Sequence, residues 1–120
     1  MKTVCISLLA VFALTTLLLA EPPKIEQVMT NQSDNGTWRF DVTISHPDTG
    51  WDHYADGWRV LDMQGNELAM RVLHHPHVDE QPFTRSVSGV RIPDGVQEVQ
   101  IQARDLPGGW NDTTTVVKLR

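Results

Sequence analysis

The sequence predicts an all-β protein, a seven-stranded antiparallel β-sandwich forming one domain. Three observations lead there. Apolar residues recur at every second position rather than at helical spacing, the alternating runs are short, and each is bounded by Gly, Pro, Asn or Asp. The 120 residues are one domain's worth of chain.

The clearest strand is the second. Trp38, Phe40, Val42 and Ile44 interleave with Arg39, Asp41, Thr43 and Ser45, the pattern of a strand with one buried face. The first strand is expected at 24–30, ahead of a turn-rich stretch at 31–36. A third is expected at 54–62 and a fourth at 67–74, joined by the tight turn 63–66 with Gly65 where positive φ is needed. The fifth, at 83–92, changes phase near Gly89 and so should be bulged there. Val99, Ile101 and Ala103 mark one face of a sixth at 96–105, and the β-branched run at 113–119 supplies the seventh.

The strand count, Trp58 early in the third strand, and the closing run Val99 to Asp105, glycine-rich turn and Thr115 to Leu119 resemble the fibronectin type III and immunoglobulin-like sandwiches. The resemblance spans 21–120 and implies a fold of the disulfide-free branch, because the usual inter-sheet cysteine pair has no counterpart. It implies no particular function, since such sandwiches host many.

Residues 1–20 read as a secretory signal peptide. Lys2 gives a positive start, positions 4–20 carry no charge, and Glu21-Pro22-Pro23 ends the apolar run. Cleavage is expected after Ala20; the alternative is an uncleaved anchor, the only route by which a membrane would become a partner. Lipid attachment in the bacterial manner is not expected, because no cysteine follows the apolar run. The domain at 21–120 is then cysteine-free, with nine basic and fifteen acidic residues and a net charge of −6. That balance argues against a nucleic-acid groove, which needs clustered Lys and Arg. A periplasmic or extracellular location follows from the leader. Asn31, Asn35 and Asn111 each begin an Asn-x-Ser/Thr triplet and are read as polar turn residues.

If successive strands alternate in direction, the connections 46–53, 74–82 and 106–112 share one end of the sandwich. All five histidines (His46, His53, His74, His75 and His77) fall at or beside that pole, and none in the connections at the other. The leading expectation is an exported, non-enzymatic binding or interaction module working through this pole. Trp51 and Trp110 would offer rings to a small ligand or a protein partner, with Asp52 and Asp79 as acceptors. Trp38 and Trp58 alternate with apolar neighbours and are read as core.

The alternative is a periplasmic copper or zinc protein. His75 and His77 flank a proline and would project to one side of an extended segment, with His46 and His53 on the neighbouring loop completing the set. Small copper-resistance sandwiches are similar in size, but they carry a histidine at the mature N-terminus where this chain has Glu21. Catalysis is not expected. The domain has no cysteine nucleophile, no Gly-x-Ser-x-Gly elbow and no phosphate loop opening a helix. Arg85, which interrupts an apolar face between Phe83 and Val87, should pair with Asp79 or Glu80.

Overall fold

The computed structural model describes residues 21–119, and the leader expectation therefore lies outside the described residues. Within them the chain is all-β, with no helix. Its strands are β1 (Lys24–Gln32), β2 (Trp38–Ser45), β3 (Tyr54–Leu61), β4 (Glu67–Val72), β5 (Phe83–Val90), β6 (Glu98–Leu106), β7 (Gly109–Trp110) and β8 (Thr115–Lys118).

They form two antiparallel sheets. One has three strands in the order β1-β2-β5; the other has five, ordered β4-β3-β6-β7, with β8 also paired to β6. The chain turns back within a sheet after β1 and β3, and crosses between sheets after β2, β4 and β5. The two-residue β7 splits what the sequence suggested as one turn. It exists because Gly109, at φ +81°, folds the chain back so that Gly109 pairs with Asp105 and Trp110 with Arg104.

Period-two alternation decides what is buried. On β2 the residues Trp38, Phe40, Val42 and Ile44 all face inward, and on β6 so do Val99, Ile101 and Ala103. Trp58 and Val60 of β3, with Phe83 and Val90 of β5, complete a core fed by both sheets. The bulge falls where the phase change put it. Trp38 pairs with Val90 but Phe40 with Val87, and Gly89 takes φ +69°. The β3–β4 turn is also as the sequence implies: Gly65 has φ +88°, and the Asp62 carboxylate accepts the Gln64 and Asn66 backbone N–H groups.

The core sets the stability. Phe40 is completely buried at the centre of the three-stranded sheet's inner face. Phe40→Ala should destabilise the protein by about 3–5 kcal/mol, measured by chemical denaturation with an unchanged slope.

Candidate functional site

The inward alternation of β2 does not stop at the end of the strand. His46 and Asp48 continue it, with Ser45 and Pro47 facing out, so the next two inward positions after Ile44 are polar and buried. The same happens on β6, where Asp105 follows Ala103 on the core face. The apolar core therefore ends, at this pole, in a layer of buried histidine and aspartate.

His46 lies at its centre. Its Nδ1 is 2.5 Å from Asp48 Oδ1 and its Nε2 is 3.0 Å from Asp105 Oδ2, with the imidazole and the Asp48 side chain wholly buried. Both contacts can be hydrogen bonds only if each ring nitrogen, or one of the carboxyls, carries a proton. Asp48 is held from three directions, since it also accepts the Ala55 N–H (2.9 Å) and the His77 N–H (2.8 Å). Gln81 closes the circuit: its Oε1 accepts the His46 N–H and its Nε2 donates to the His77 carbonyl. Loops 46–53 and 73–82 are thereby fastened to each other and to the end of β6.

His53 enters from the far end of the first loop. Thr49 N–H donates to the His53 carbonyl and His53 N–H to the Gly50 carbonyl, a tight turn with Trp51 and Asp52 at its tip. The His53 ring lies 4.6 Å from that of His46, and its Nε2 is 3.7 Å from Asp105 Oδ2. That nitrogen is buried with no hydrogen-bond partner. His46, His53 and Asp105 thus each present one donor atom, all within 4.8 Å of one another. Asp105 is itself confined: a Cβ on Gly108 would come within 2.6 Å of its Oδ1.

The other candidate residues go elsewhere. His77 stacks on Phe83 at 3.9 Å, accepts at Nε2 from Arg85 Nη2 at 3.0 Å, and touches the cluster only through Asp48. His75 is exposed, with its ring 4.5 Å from His77, and lies outside the group that converges on Asp105. The proline between them does bring the two rings side by side, but it does not aim them at His46 and His53. Arg85 takes Glu80 as its acid, at 3.7 Å, as well as His77.

Trp51 is 66% exposed and meets Tyr54 edge to face at 5.7 Å. Trp110 is neither a lid over the core nor a free platform. Its ring lies under the Arg59 guanidinium at 3.8 Å, on the outer side of β3 and β6. Asp52 and Asp79 are exposed. Trp38 and Trp58 are core residues. Asp105 and Gln81 are not among the residues expected at this site from the sequence. The signal for Asp48 and Asp105 was present in the unbroken alternation beyond Ile44 and Ala103.

No protein-family model and no solved structure matches the chain. A protein of Halomicrobium mukohataei described as "Putative lipoprotein" is 38% identical to it over 90 residues, covering 74% of this chain and 44% of the relative. The chain thus spans less than half of the relative's length. The single cysteine of this chain, Cys5, lies within the uncharged run at 4–20.

Asp48→Ala would leave two buried N–H groups and a buried imidazole without their acceptor. It should cost about 3–5 kcal/mol by thermal or chemical denaturation, well beyond an ordinary surface substitution. Burial, then the Arg85 guanidinium and the His75 ring, hold His77 below the ordinary imidazole range, against the pull of Glu80 and Asp48. The fold favours the neutral ring, so its contribution is complete above about pH 6.5 and is lost as pH falls from there through the lower folded-state value. In His77→Gln, the decline in melting temperature across that window should be shallower than in the wild type.

Proposed function

We propose that the protein is an exported, non-catalytic binding module whose contact end is the pole formed by loops 46–53, 73–82 and 107–114. The observation that carries this is Trp51, a large aromatic ring held in solvent at the tip of a turn whose base is fixed by the buried His46–Asp48–Asp105 cluster. An exposed tryptophan on an immobile base loses little conformational freedom when it binds, which is what a contact residue needs. Trp110 is engaged by Arg59, so Trp51 with Tyr54, rather than a pair of tryptophans, forms the aromatic contact.

Export is supported by the charge-free run at 4–20 and by the lipoprotein description of the Halomicrobium relative. The strand order, β1-β2-β5 in one sheet and β4-β3-β6 in the other with β7 and β8 both paired to β6, and the sheet changes after β2, β4 and β5 support the fibronectin-like reading of the sandwich. A periplasmic or extracellular domain follows, with a protein or small ligand as partner.

The test is site-specific photo-crosslinking in the producing cell, with the probe at Trp51 or, at the opposite pole, at Met63, which is 45% exposed. A discrete adduct from position 51, found in the exported fraction and absent from position 63, is the expected result. Equal labelling from both positions, or none from position 51, would overturn the reading.

A further inference from the structure

We propose that His46 Nε2, His53 Nε2 and Asp105 Oδ2 form a binding site for one divalent transition-metal ion, with Asp48 as the outer partner that orients His46. This deepens the reading of the pole as the binding end. It keeps His46 and His53 from the set expected from the sequence and puts Asp105 in place of His75 and His77.

The first argument is the spacing of the donors. Two ligand atoms about 2.0–2.1 Å from a tetrahedral ion lie about 3.3–3.4 Å apart. Asp105 Oδ2 is 3.0 Å from His46 Nε2 and 3.7 Å from His53 Nε2, which bracket that value. The third separation falls within the 4.8 Å limit that contains the whole group.

The second argument is the accounting of hydrogen bonds. His53 Nε2 is buried with no hydrogen-bond partner, and a ring nitrogen in that state is either a lone pair or a proton without an acceptor. Coordination gives the lone pair its partner. Asp48 Oδ1 at His46 Nδ1 then places that ring's proton on Nδ1 and leaves Nε2 free to ligate, the carboxylate–histidine arrangement found behind metal-binding histidines. Asp48 is in turn fixed by the Ala55 and His77 N–H groups, so the outer partner cannot swing away.

The third argument is charge. Asp48 and Asp105 bring two carboxylates into a space where their side chains are 0% and 5% exposed. A divalent ion with two neutral imidazoles balances them. Asp105 also borders a cleft of about 310 Å³ with Pro22, Gly108 and Trp110. Two imidazoles and one carboxylate suit zinc or copper(II), and disfavour calcium and magnesium, which take oxygen shells.

The experiment is isothermal titration of the chelator-treated protein with Zn²⁺, repeated with Cu²⁺ and with Mg²⁺ as control. One Zn²⁺ or Cu²⁺ per chain and no Mg²⁺ is expected, with a rise in melting temperature that scales with free metal. His53→Ala should weaken binding at least tenfold, and His75→Ala should leave it unchanged. Because His46→Ala risks unfolding the pole, Asp105→Asn serves as the second variant: the amide keeps the side-chain shape but removes the anionic ligand, and at least a tenfold loss is expected. Absence of one-to-one uptake, uptake indifferent to His53→Ala, or uptake lost in His75→Ala would each overturn the site. Trp51 touches none of the three ligands, so a protein that binds no metal yet still cross-links from position 51 refutes only the metal site. One that binds metal without the cross-link refutes only the docking surface.

Discussion

Everything at the histidine-rich pole of the molecule depends on one buried carboxylate. Asp48 accepts from the His46 ring, from the backbone at the start of β3 and from the backbone of the 73–82 loop. One side chain thereby joins its own loop, the start of β3 and the distant 73–82 loop. A buried charge with fewer partners would be costly; with three it fixes geometry. The two crossover loops of a small sandwich would ordinarily be among its more mobile parts. Here they are tied to each other, to β3 and, through His46 and Asp105, to β6.

This arrangement gives the sandwich two unlike ends. At the far pole, turns such as 63–66 satisfy their own backbone locally, with Asp62 capping its hairpin. At the near pole the satisfaction is long-range: Gln81 with His46, His77 with Asp48, Asp105 with His46. Local closure makes an economical end and little else. Long-range closure by buried side chains ties the two crossover loops together, and it places Trp51 on a base that does not yield.

The fold and much of the near pole were legible in the sequence for one reason, the period of two. Alternation located β2 and β6 and their buried faces, and the change of phase at Gly89 located the bulge. Strand direction alone then gathered the three loops and their histidines. The same alternation, followed past Ile44 and Ala103, assigns His46, Asp48 and Asp105 to the inner face, although polar residues following an apolar run are easily taken as the start of a loop. What periodicity did not supply was the separation of His75 and His77 from His46 and His53. A proline-flanked pair does project its rings together, but whether they reach a neighbouring loop depends on Phe83 and Arg85, which capture His77.

By itself, then, the sequence determined an all-β chain with alternating strands and a polar, histidine-rich pole, because side-chain direction along a strand is a local property of the backbone. Only the tertiary structure decided which histidines meet. The convergence of His46, His53 and Asp105, the capture of Trp110 by Arg59 and the exposure of Trp51 are set by how two sheets pack and where three loops cross. Those are distances between segments far apart along the chain, and no local pattern encodes a distance of that kind.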